Sequence, residues 1–172
     1  MGDSVADDRF NEEQRAGLTE RQVDQDRTLA AMHGLEAALA EAAPGREEIW
    51  REAVLDALVV LGQVTTEEAE NADRPDSLLS DLARTQPRLR NRVRGVRLQY
   101  RQLRETIASI RSELNGPSDE TFDFSDVRQR LAWLLTALRH QRARESDLIY
   151  EAYFEAFRAE LSAEASPSDD QG

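Results

Sequence analysis

Four polar residues occupy positions where a helix interior calls for apolar side chains. Counting in alternating steps of four and three from Trp50 through Val54, Ala57, Leu61 and Val64 arrives at Glu68. The same count from Leu89 through Val93 and Val96 arrives at Tyr100, and from Val127 through Leu131, Leu134 and Leu138 it arrives at Gln141 and then Glu145. On an earlier segment Leu29 and Met32 share a stripe with Leu39, which places His33 beside that face. A buried carboxylate is costly unless it is paired, protonated or bound to a metal. Two chemistries therefore stand open. Glu68, Tyr100, Glu145 and His33 could ligate a metal in a bundle core, with Gln141 in the same layer. Alternatively, a tyrosine hydroxyl and a glutamine amide could satisfy two carboxylates in a structural polar layer, or Glu68 and Glu145 could reach solvent near helix ends. Imidazole is scarce either way, since His33 and His140 are the only histidines. In a simple up-down arrangement Tyr100, halfway along its helix, is expected several residues below Glu68.

The elements that would position these residues are all helical in period. The first is expected from Gln22 to Ala42, ending at the breaker Ala43-Pro44-Gly45. The second begins near Arg46-Glu47-Glu48, whose acids suit a helix N-terminus, and fades by Asp73-Arg74-Pro75-Asp76-Ser77. A short piece, Leu78–Arg84, bridges to a third helix with Pro87 in its first turn. Its stripe is the cleanest in the chain: Leu89, Val93, Val96, Tyr100, Leu103, Ile107, Ile110 and Leu114, stopped by Asn115-Gly116-Pro117. A loop over Ser118–Phe124 leads to Ser125 as the expected N-cap of a fourth helix, which carries Ala152 as its last stripe residue. The chain reads as all-α, an antiparallel four-helix bundle over residues 21–162. Residues 1–20 read as a disordered acidic segment and 163–172 as a disordered tail.

Composition narrows the function. The chain has 172 residues, 40% of them hydrophobic and 33% charged, and no cysteine, so disulfides, thiol nucleophiles and cysteine-based zinc sites are excluded. Its net charge of −12 argues against a nucleic-acid partner. The longest apolar stretch, Ala53–Gly62, is interrupted by Asp56 and too short to span a bilayer, and the N-terminus lacks the apolar run of a signal peptide. A cytoplasmic setting with no membrane partner is the expectation.

Several runs resemble hemerythrin-like (HHE cation-binding) domains. They are Leu35-Glu36-Ala37-Ala38-Leu39 followed by Ala43-Pro44-Gly45-Arg46 and Trp50; Arg74-Pro75-Asp76-Ser77-Leu78-Leu79 followed by Pro87-Arg88-Leu89; and Arg144-Glu145-Ser146-Asp147-Leu148-Ile149-Tyr150-Glu151-Ala152-Tyr153. Together they cover most of Thr28–Phe154. The resemblance implies a four-helix bundle built around a non-haem di-iron centre with His and Glu ligands. By position the family's first histidine falls near Met32 or His33, its second near Glu68, its third at Tyr100 and its fourth at Gln141 or the neighbouring His140. The glutamate of its His-x-x-x-Glu motif falls at Glu145. Most of the implied histidines are replaced, and imidazole is the neutral ligand that lets such a centre hold iron without excess negative charge.

The expectation is thus a hemerythrin-like bundle with a vestigial metal site, a non-catalytic structural, regulatory or interaction module without a cofactor. The rival is a protein that binds iron or manganese through altered Glu, Tyr and His ligation for oxygen or redox chemistry, di-iron being the alternative cofactor. A protein partner or a homodimer is the expected form of association. Between Asp81 and Glu105 the chain carries eight arginines and no acid; they form either an anion or acidic-partner site or a set of ion pairs with neighbouring helices. The late aromatics Tyr150, Tyr153, Phe154 and Phe157 either continue the core or form an apolar end for self-association.

Overall fold

The computed structural model describes residues 9–41, 45–117 and 123–165, and among them it is all-helical with no strand. In chain order the elements are α1 (Glu12–Ala40), α2 (Glu47–Asp73), α3 (Leu78–Thr85), a 3-10 turn (Pro87–Leu89), α4 (Arg90–Leu114) and α5 (Phe124–Glu164).

Local chemistry sets most of the ends. Asn11 caps α1 through a reciprocal capping box: its side chain accepts from the Gln14 amide at 2.7 Å, and Gln14 Oε1 accepts from the Asn11 amide. Gly45, before α2, has a φ of +79°, a left-handed conformation that glycine adopts without a Cβ penalty. Ser77 caps α3 by accepting from the Ser80 amide. Pro87 opens the 3-10 turn that leads into α4, where its missing N–H leaves no bond unmade. Asp123 caps α5 by accepting from the Ser125 and Asp126 amides, so the cap lies two residues before the expected Ser125. The expected loop at Ser118 and the proposed breaker residues Ala43 and Pro44 lie outside the described residues.

Contacts between helices fix their order. Arg74 reaches Glu20, Asn71 reaches Asp24 and Arg27 reaches Glu67, so residue numbers fall along α2 as they rise along α1. Arg97 pairs with Asp73 while an added Cβ on Gly62 would touch Ile107, the same opposed stepping between α2 and α4. Arg144 donates to Gln99 and Arg130 to Glu113, repeating it between α4 and α5. These pairings bring Tyr100 level with Glu68, which corrects the expected offset of several residues.

The core divides in two. One half packs Met32 and Leu35 of α1 against Leu58 and Leu61 of α2, Ile107 of α4 and Leu131 of α5. The other gathers Leu79 and Leu82 of α3, Val93 of α4 and Leu148 of α5, with Phe10 closing it against Tyr153 and Phe157. Each fully buried leucine contributes on the order of 2 kcal/mol. Every member of the α4 stripe is buried, as its period requires. On α2 the expected Trp50, Val54, Leu61 and Glu68 are buried, but Leu58 and Thr65 replace the expected Ala57 and Val64, which are only half-buried.

Two boundaries differ from expectation. α1 begins at Glu12 rather than Gln22, so residues 12–20 of the segment expected to be disordered are helix; α5 likewise runs to Glu164. Residues 1–8 and 166–172 lie outside the described residues. Near its end α5 is interrupted at Tyr153 (φ −118°, ψ 21°), and the inward register shifts there. Tyr153 and Ala156 are buried in place of the expected Ala152, whereas Tyr150 and Phe154 are exposed. The late aromatics therefore divide between core and surface.

A candidate polar centre

Between the two halves of the core lies a layer of charged and hydroxyl side chains, one or more from each long helix. Its centre is Arg21, on α1, only 3% exposed. Arg21 Nε donates to Glu145 Oε1 at 2.7 Å, and Nη2 lies 2.5 Å from the same oxygen. Nη2 also donates to Tyr100 Oη at 2.6 Å and to Glu68 Oε1 at 3.1 Å. Nη1 reaches the Glu68 carbonyl at 3.4 Å and stands 3.5 Å from Asp24. Planar forked donors suit such convergence, and a lysine could not make it.

The surrounding bonds hold the acids in place. Thr28 Oγ1 donates to Glu68 Oε2 at 2.6 Å, and Asn71 Nδ2 donates to Asp24 at 3.0 Å. Tyr100 Oη lies 2.9 Å from Glu68 Oε1 and makes a still closer contact with Glu145 Oε2. Glu68 and Glu145 are 2% and 0% exposed. Gln141 sits one turn from Glu145, but its amide is turned aside: Nε2 donates to the Val96 carbonyl at 3.1 Å, and Oε1 has no hydrogen-bond partner among the described residues.

A phenol has one proton, so Tyr100 donates to only one of Glu68 and Glu145 at a time. Glu145 is the more deeply buried of the two acids. Burial pushes its carboxyl above the ordinary range, against the pull of Arg21 and Tyr100 and with the added repulsion of Glu68. Burial also raises the Tyr100 phenol well above its usual value, reinforced by the charges of Glu145 and Glu68. Burial alone lowers the Arg21 guanidinium, but Glu145, Tyr100 and Glu68 outweigh it and hold it above its ordinary value. Arg21 is therefore permanently charged.

Of the sequence-derived candidates, the fold brings Glu68, Tyr100 and Glu145 into direct contact. It does not bring His33 to them. His33 is exposed on the outer side of α1, because the inward stripe of that helix runs Arg21, Asp24, Thr28, Ala31, Leu35 and Ala38 rather than through Leu29 and Leu39. His140 is exposed as well. The residue that sequence reasoning missed is Arg21, together with its helix-mate Asp24. The signal was available: stepping back by sevens from Leu35 gives Thr28 and then Arg21.

These residues do not fit a di-iron centre. Both glutamates and the phenol, the oxygens a metal would need, already receive hydrogen bonds from one guanidinium at their shared centre. No imidazole is within the layer, and the Gln141 amide is committed elsewhere. Among the described residues no group of three or more histidines and carboxylates is arranged so that it could hold a metal ion. No helix among the described residues is long and apolar enough to cross a membrane. Compared with family models, curated proteins and solved structures, the chain matches none.

Proposed function

We propose that this chain is a hemerythrin-like antiparallel four-helix bundle whose metal level is vestigial, and that it acts as a non-catalytic structural, regulatory or interaction module. The observation that carries the reading is the position of Arg21. Its guanidinium supplies, between Glu68, Glu145 and Tyr100, the positive charge that those oxygens would otherwise draw from a cation. A side chain on α1 thereby ties together α2, α4 and α5 at one level, a cross-brace that needs no cofactor. The chemistry of the layer also supports it. Its hydrogen bonds form a closed set, in which Gln141 Oε1 alone is left without a partner among the described residues.

Altered ligation by Glu68, Tyr100 and Glu145 receives less support, since a metal would first have to displace a paired, permanently charged arginine from a site 3% exposed. Metal analysis of the protein purified after iron supplementation tests the two readings together. Far less than one iron per chain, no visible tyrosinate-to-iron absorption and a melting temperature indifferent to added iron or manganese are the expected results. About two irons per chain would overturn the proposal.

A further inference from the structure

The arginines from Arg84 to Arg97 divide into two sets. Arg88 and Arg92 pair with Glu151, Arg84 with Asp81 and Arg97 with Asp73. Arg90 and Arg94 do not follow them. Both are exposed and neither makes an ion pair among the described residues, although the chain has 34 acids to 22 arginines. They stand four residues apart and continue to Leu98, which is 47% exposed. Positions i, i+4 and i+8 form one ridge on a helix surface, the ridge that most often packs against another helix.

α2 carries the complementary ridge. Glu52, Asp56 and Val60 stand at the same spacing, all exposed, with Val60 at 51%. Neither acid makes an ion pair among the described residues. A single offset of 38 positions aligns Arg90 with Glu52, Arg94 with Asp56 and Leu98 with Val60. On both ridges the charged pair is separated by about 6 Å along the helix axis, with the apolar residue a further 6 Å on. Charge thus meets opposite charge and hydrocarbon meets hydrocarbon in one register.

We infer that the Arg90-Arg94-Leu98 ridge is a docking surface for the Glu52-Asp56-Val60 ridge of a second copy of this chain. The two ridges lie on different helices, α4 and α2, so each copy carries both halves of the contact. Guanidinium–carboxylate forks give it direction, and the Leu98–Val60 contact excludes water at one end. Net repulsion between chains of charge −12 opposes it, but at about 0.15 M salt the field is screened beyond roughly 8 Å whereas touching pairs persist. The association is therefore weak and weakens again at high salt. This inference rests on surface charge and is independent of how the buried layer is read.

Sedimentation equilibrium on the full chain at submillimolar concentration tests it, with exposed-site variants R94E and D56R checked for native helicity by circular dichroism. The wild-type weight-average mass is expected to rise above 19.5 kDa near physiological salt and to return toward it at about 1 M salt, where the Debye length is about 3 Å. Each variant alone should stay monomeric, since it sets like charges against each other. An equimolar mixture should recover association. The acid introduced by R94E in one chain then meets the arginine introduced by D56R in the other, and the unaltered Asp56 of the first meets the unaltered Arg94 of the second. A wild type that stays at 19.5 kDa, association that survives R94E, or a mixture that stays monomeric would each overturn the proposal. So would tight binding of heparin to the wild type, abolished by R94E, with no self-association.

Discussion

Arg21 and Glu145 are separated by 124 positions in the chain, yet their side chains meet at 2.7 Å in a layer closed to solvent. Neither residue could be buried alone. A desolvated carboxyl or guanidinium costs several kcal/mol, and what offsets this is the geometry of the pair together with Glu68, Tyr100, Asp24 and Thr28. The layer contributes to choosing the structure as well as stabilising it. Any slip of α1 by one turn against α2 would leave Arg21 opposite apolar side chains and strand two glutamates.

Removing one partner should expose that dependence. In Arg21→Met the aliphatic stem is kept, but Glu68, Glu145 and Asp24 lose their cation. The expected loss of unfolding free energy is about 3–5 kcal/mol, measured by urea denaturation with an unchanged slope. Replacing the set together, as R21M/E68L/E145L, should restore most of that loss, because apolar groups of similar volume need no compensation. A single variant within about 1 kcal/mol of wild type would mean that the layer is open to water.

Glu145 should leave a signature in the pH dependence of stability. Its carboxyl is raised in the folded protein, mainly by burial, so the folded state keeps a proton that the unfolded chain releases. The sign follows: this contribution is fully present below the unfolded carboxyl value of about 4.3 and is lost as pH rises through the raised folded value. The slope it adds cannot exceed about 1.4 kcal/mol per pH unit. Exposed carboxylates held low by arginine or amide donors, such as Glu151, Glu67 and Asp76, act in the opposite sense at acid pH. The diagnostic is therefore the comparison with Glu145→Gln, which presents an amide donor toward Tyr100 at every pH. Wild type should lose stability relative to E145Q as pH rises above about 4.3. A difference between the two that does not vary with pH would show that Glu145 is ionised in the folded state.

How much of this could be read from residues alone depended on apolar period. The α4 stripe was complete from Leu89 to Leu114 because every member but Tyr100 is apolar, and Glu68, Tyr100 and Glu145 emerged as interruptions of otherwise regular rows. α1 gave no such row. In its first sixteen residues, Glu12 to Arg27, the buried side chains are Arg21 and Asp24, so the inward face there looks like an outward one. The polar residue that completes the layer was hidden by the same feature that hid the helix. The break at Tyr153 was hidden too, since no proline or glycine marks it, and the register beyond it could not be carried forward from Leu148.

That polarity makes the first half of α1 the part of the fold most dependent on a single side chain. Apart from Phe10 and half-buried Leu18, it is attached by Arg21 and Asp24 and by exposed pairs such as Arg74–Glu20 and Arg15–Glu160. Exposed pairs of this kind contribute roughly 0–1 kcal/mol each. Residues 28–40, by contrast, bury Met32 and Leu35 in the larger core cluster. Hydrogen exchange should therefore show amides of residues 15–27 opening at lower free energy than those of 32–40, although both lie in one continuous helix. In Arg21→Met, exchange in residues 15–27 should quicken by more than the global loss of stability requires, because the segment loses its own anchor. Uniform protection along α1 in the wild type, or an equal change in both halves in the variant, would show that α1 opens only with the whole bundle. A stepped profile would place the hinge near Thr28, where the polar layer ends and the apolar stripe begins.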